Sequence, residues 1–254
     1  MLKSKLSIAF ALAALIASGP AAAVGTGIDF QVDETVVVGV PAAAPLITAD
    51  SIDYSYSAII NQTLVGATLD FDDPFTETGL ISVSSFKDGI FTQAAYLNSP
   101  PSAGYSIVGD FTATGVAGIF GAGIKAIFNT FTLNLFIDTD QNGTGDIALG
   151  TAVLNAFSEA NIFAGLANGD FDVNLFFTPT AFGSTYFTSP SPFLLNMETT
   201  GVTTTLNGVS FGSFTATTDG SGNLFVNQVP EPGTLALLGL ALLGLSLMRR
   251  RRNQ

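Results

Sequence analysis

The sequence predicts an all-β fold, an antiparallel β-sandwich-like domain, and three observations point to it. Phe, Val, Ile and Thr are abundant through the body, while Gly, Asn, Asp, Ser and Pro interrupt them at short intervals. Two stretches alternate with period two. Phe171, Val173, Leu175 and Phe177 fall on one face, and Ile127, Phe131, Leu133, Leu135 and Ile137 on another, with Thr130, Thr132 and Asn134 opposite. No regular series of helices separates the candidate strands, which favours an antiparallel sandwich over a parallel sheet.

The N-terminus is expected to be a signal helix. Lys3 and Lys5 precede an apolar run from Leu6 to Ile16, and small residues follow, ending Ala21-Ala22-Ala23. A charged start, a short apolar centre and an A-x-A site formed by Ala21 and Ala23 make a secretory signal, cut after Ala23. Signal peptidase and the Sec machinery are the partners this implies. Residues 1–23 are then the signal and residues 24–228 the exported body.

Further strand candidates in the body are residues 35–40, 64–71, 80–86, 105–114, 209–216 and 223–227. Residues 154–167 fit one short helix loosely, with Gly165 and Gly169 limiting its length. Ser99-Pro100-Pro101-Ser102 and Ser189-Pro190-Ser191-Pro192 read as loops, and Gly118 to Lys125 reads as a hairpin connection. No repeat of fixed period is found.

The tail, residues 229–254, has three parts: Val229-Pro230-Glu231-Pro232, an apolar run from Thr234 to Met248, and Arg249-Arg250-Arg251-Arg252. The run of 15 residues would make a helix of roughly 22 Å, short of a ~30 Å hydrocarbon core unless arginines snorkel and lipid thins. The run is expected to be a single transmembrane helix. The arginines stay on the cytoplasmic side, which leaves the body outside. Two prolines hold the tripeptide extended, as a protease substrate should be.

Pro230-Glu231-Pro232, followed by such a helix and basic cluster, resembles the PEP-CTERM sorting signal of Gram-negative bacteria that make exopolysaccharide. The resemblance covers about the last 26 residues. It implies recognition by exosortase, cleavage near the motif, and release or transfer to the envelope surface. Membrane attachment through the helix would precede processing.

With both ends removed, two lysines, Lys87 and Lys125, face 19 acidic residues, a net charge of −17 against −12 for the whole chain. That surface repels nucleic acid and anionic lipid. It fits either simple solubility or a role for divalent cations. There is no Cys, so core packing alone must stabilise the exported body.

The chain has neither His nor Cys. Ser–His–Asp and Cys–His catalysis are therefore excluded, as are zinc sites built on those ligands. Carboxylate-pair glycoside hydrolysis stays open in principle, but there is no Trp and only five Tyr to form sugar platforms. No enzymatic activity is expected.

One constellation could bind metal. Asp138, Asp140, Asn142 and Asp146 stand at positions 1, 3, 5 and 9 of a loop with Gly143 at position 6. That is the opening of an EF-hand-type calcium loop, although position 12 is Leu149 and a strand precedes it. An Asn-Gly hairpin turn explains the same residues and is the favoured reading. Calcium is the one cofactor left open. A second acidic stretch, Asp70 to Glu77, is expected to be a solvated loop.

Gly27-Ile28-Asp29-Phe30-Gln31-Val32-Asp33-Glu34, Thr48-Ala49-Asp50-Ser51-Ile52 and Leu135-Phe136-Ile137-Asp138 precede the tail in that order. Together they resemble the flocculation-associated PEP-CTERM proteins. That resemblance implies a cell-surface or matrix protein supporting floc or biofilm formation, with exopolysaccharide or a neighbouring cell surface as partner. A glycan- or ligand-binding module and a self-assembling surface protein are the alternatives.

Overall fold

The computed structural model describes residues 27–66, 73–100, 104–120, 123–156, 158–162, 169–190, 193–210 and 213–228. The signal helix expected at 1–23 and the apolar helix expected in the tail, 229–254, lie outside the described residues. No helix among the described residues is long and apolar enough to cross a membrane.

The strands are β1 (Phe30–Val32), β2 (Ile47–Ala49), β3 (Ser51–Thr63), β4 (Asp73–Asp88), β5 (Phe91–Thr92), β6 (Ser106–Phe120) and β7 (Gly123–Asp138). They continue as β8 (Ile147–Leu154), β9 (Glu159–Ile162), β10 (Gly169–Pro179), β11 (Phe187–Ser189), β12 (Phe193–Ser210) and β13 (Ser213–Gln228). One short helix, α1 (Ala181–Tyr186), links β10 to β11. All-β and antiparallel is therefore the observed class. The architecture differs from a sandwich, however. A single sheet runs β12-β13-β3-β4-β6-β7-β8-β10, and β10 pairs again with β12. The sheet closes on itself as a barrel in which successive long strands are neighbours and the last, β13, pairs with the first, β3.

Alternation sorts the side chains of the closed wall into an inner and an outer face. Along β3, Ile52, Tyr54, Tyr56 and Ala58 are buried while Ser55, Ser57 and Ile59 are exposed. In β4, Phe75, Ile81 and Val83 face inward, and Thr76, Thr78 and Ser82 face outward. The wall thus encloses an apolar core behind a Ser- and Thr-rich exterior, the reverse of a lipid-facing barrel, whose outward band is apolar. Full burial of each large apolar side chain is worth about 1.5–3 kcal/mol, and Phe111, Leu133, Ile137, Leu175 and Phe177 are all buried inside.

Two irregularities set the alternation. A bulge in β7 puts Thr114 opposite Thr130 but Gly115 opposite Phe128. Asn129 is the extra residue, so Phe128 joins Phe131 inside and Ile127 turns out of the expected apolar face. Gly115 is required there, because a Cβ would collide with the carbonyl oxygen of Ile127. The second irregularity splits one wall position between β8 and β9, both of which pair with β7 and β10. Buried Ser158 bridges the gap: its hydroxyl oxygen accepts from the Asn174 amide (3.0 Å) and its carbonyl from the Phe128 amide (3.1 Å). The helix expected over 154–167 is thus strand in its described part. Nor is 35–40 a strand, since a 3-10 turn occupies Glu34–Val36.

One end of the barrel is plugged by the small sheet β11-β1-β2, through Phe30 packing on Phe86 and Phe187, and Phe187 on Phe177 and Phe193. Buried Glu34 holds the plug. Its carboxylate accepts from the Tyr96 amide (2.9 and 3.1 Å) and the Tyr105 hydroxyl (2.8 Å), which in turn shares a 2.5 Å hydrogen bond with Tyr186. Beyond Thr200, β12 pairs with β13 alone among the described residues.

Candidate functional site

The β7–β8 connection is the loop that the sequence singled out. Backbone reversal there depends on Gln141 at φ 55° and Gly143 at φ 85°, the left-handed region that suits a glycine at position 6. Asp138, at the end of β7, is fully buried; its carboxylate accepts from the Gly143 amide (2.7 Å) and the Asn142 amide (3.3 Å). Asp146 accepts from the Thr139 amide (2.8 Å) and hydroxyl (2.5 Å). Those two bonds, the hydroxyl's first, hold its pKa below the ordinary value, so it stays charged.

Carboxylate oxygens of Asp138, Asp140 and Asp146 lie within 4.8 Å of one another, a spacing that suits a cation with oxygen ligands. Asn142 does not join them: its amide donates to Asp140 (2.9 Å) and its carbonyl accepts from the Thr144 amide (2.7 Å). Leu149 is buried in the wall and offers nothing at position 12.

The same loop borders a groove of about 790 Å³ on the outer wall. Ser55, Ser57, Leu80, Ser82 and Asp110 line it from β3, β4 and β6, and Thr144 from the loop.

The second acidic stretch is not a solvated loop in its described part. Asp73, Phe75 and Glu77 share inward parity, and Asp73 accepts from the Val65 amide (2.6 Å). Glu77 is buried, and desolvation pushes its carboxyl up to about 7. Burial, and secondarily Glu77, also raises the Tyr56 pKa. The sequence reading missed this inward acid, because Asp73 to Thr78 carries no polar–apolar alternation and only the burial pattern reveals the parity. On the outer wall, Asp172 of β10 faces Glu198 of β12. Both carboxyls are raised, first by burial and then by neighbouring acids.

The processing residues expected from sequence, Ala21, Ala23, Val229, Pro230, Glu231, Pro232 and Arg249 to Arg252, lie outside the described residues. Comparison of sequence reaches them: residues 228–252 match the PEP-CTERM protein-sorting motif. The chain therefore ends in a signal processed by exosortase, and it is of the class exported to the cell surface. No curated protein matches the chain. Two solved structures of Ail, the attachment invasion locus protein of Yersinia pestis, one in complex with the heparin analogue sucrose octasulfate, are similar at 10% identity over 70% of this chain and 99% of theirs. Their TM-scores, 0.15 and 0.14, are too low to carry any argument.

Proposed function

We propose that the chain is an exported surface or matrix protein that supports floc or biofilm formation by adhesion or by associating with exopolysaccharide. The observation that carries this reading is the sorting motif at residues 228–252, whose processing delivers a protein to the cell surface. A barrel with a Ser- and Thr-rich exterior and a net charge of −17 from two lysines and 19 acids suits a hydrated matrix. The outer groove offers a polysaccharide chain a place to lie. Calcium at Asp138, Asp140 and Asp146 would order the groove's loop and bridge acidic polymers to an acidic surface.

A non-enzymatic role is expected: polysaccharide incubated with the protein should release no new reducing ends, and a steady rise would overturn it. Deletion of the coding sequence, followed by a settling assay, tests the floc role. Slower settling, restored by the wild-type copy, is expected; unchanged settling would refute it. The groove also favours a glycan-binding module as a second reading, tested by pull-down with matrix polysaccharide. Edge-to-edge self-assembly is the third reading, and the 201–210 stretch of β12, which among the described residues pairs with β13 alone, is an edge that would carry it.

A further inference from the structure

Inside the barrel, a cleft of about 40 Å³ lies among β3, β4, β6, β7, β10 and β13. Its polar groups are unusual for a core. Glu77 is buried and forms no hydrogen bond or ion pair, and the hydroxyl oxygen of buried Thr218 makes no hydrogen bond of good geometry, its nearest polar neighbour being the Tyr56 hydroxyl. The remaining lining is largely ring: Tyr56, Phe111, Phe128 and Phe131. Tyr56 meets Phe171 edge-on with centroids 5.3 Å apart, and Phe111 stacks on Phe131 at 5.2 Å.

An uncompensated carboxylate in such surroundings costs several kcal/mol. Among the described residues no cation is placed to offset it. In the body, Lys87 is paired with Asp53 at 3.2 Å and Lys125 with Glu159 at 2.5 Å. Aromatic faces attract cations, and the two oxygens can only gain from a donor. The size sets the rest. About 40 Å³ admits a group close to a water molecule in volume, ~30 Å³, so the ammonium alone enters and whatever carries it stays outside. The cleft continues to half-buried Asn161 and Asp170, where a further acid marks its mouth.

We propose that this cleft binds a primary ammonium group, held by the Glu77 carboxylate and the Thr218 hydroxyl oxygen against the rings of Phe111, Phe128 and Phe131. The rest of the ligand leaves past Asp170. A free alkylamine and an amino sugar of a polysaccharide both carry that group. This site is inside the wall, so it stands or falls independently of the outer groove.

The test uses the full chain in detergent, with n-butylammonium, the neutral isostere 1-butanol and a glucosamine tetramer titrated separately while Tyr fluorescence and melting temperature are followed. Saturable binding of n-butylammonium, absent with 1-butanol and about tenfold or more weaker in Glu77→Gln, is expected. Binding should also weaken from pH 8 to pH 5 as Glu77 takes up a proton, while the amine stays charged. Tyr56 and Asp170 are the other titratable groups lining the cleft; Thr218→Val, which adds no charge, provides the second variant and should weaken binding at both pH values. Binding of the tetramer as well identifies the polymer as the source; binding of n-butylammonium alone identifies a small amine. Failure of both amines to bind, equal binding of 1-butanol, or undiminished binding by Glu77→Gln would each overturn the assignment, leaving a water molecule and a protonated Glu77 in the cleft.

Discussion

Glu77 shows what one inward acid does to a barrel. Its ordinary pKa is 4.5 and burial raises it to about 7. Between those values the folded protein holds a proton that the unfolded chain releases, so stability falls as pH rises from about 4.5 to about 7 and levels off above. The raised pKa corresponds to about 3 kcal/mol in full. Glu77→Gln should therefore be more stable than wild type at pH 8, lack that decline, and match it near pH 4, as measured by urea unfolding at each pH. Glu34, also buried, is instead hydrogen-bonded, by the Tyr96 amide and the Tyr105 hydroxyl. Removing it in Glu34→Ala strands both donors and should cost about 2–4 kcal/mol in the same assay. The loop from Asp138 to Asp146 belongs to this scale too. Calcium at roughly millimolar concentration should raise the melting temperature of wild type and leave Asp146→Asn unchanged; no response in wild type would remove the site. The 138–146 loop was legible because its spacing is local in sequence. Glu77 was not, because acidic composition suggested solvent while its parity with Phe75 placed it inside.

At the scale of the element, β10 and much of β7 were legible because their apolar residues alternate without interruption. β3 was obscured by Tyr54 and Tyr56, whose rings pack inward although their hydroxyls read as polar; the Tyr54 hydroxyl finds Thr199 across the interior. The β7 bulge broke the count at Asn129, so period two assigned Ile127 to the wrong face. The bulge makes Gly115 a demanding position. Gly115→Ala should destabilise the β6–β7 pair by about 1–3 kcal/mol, visible as faster amide exchange along β6. The facing acids of β10 and β12 give a prediction of opposite sign: Glu198→Gln should stabilise slightly, by a few tenths to 1 kcal/mol, and less at high salt.

For the whole molecule, sandwich and barrel produce the same inward–outward alternation. What distinguishes them is the pairing of β3 with β13, strands separated by most of the body, and of β10 with β12. No local pattern encodes the first of those contacts. The sorting tail, by contrast, was legible from sequence, because sorting enzymes read a short linear signal: Pro230-Glu231-Pro232, an apolar run and four arginines. The closed wall is polar outside, so water suits it once both ends are removed. Mass measurement of the chain recovered from the cell exterior tests this directly. It should lack residues 1–23 and end close to the Pro-Glu-Pro tripeptide, plus the mass of any group attached there. An intact chain of 254 residues found in the cytosol, with none outside, would contradict it.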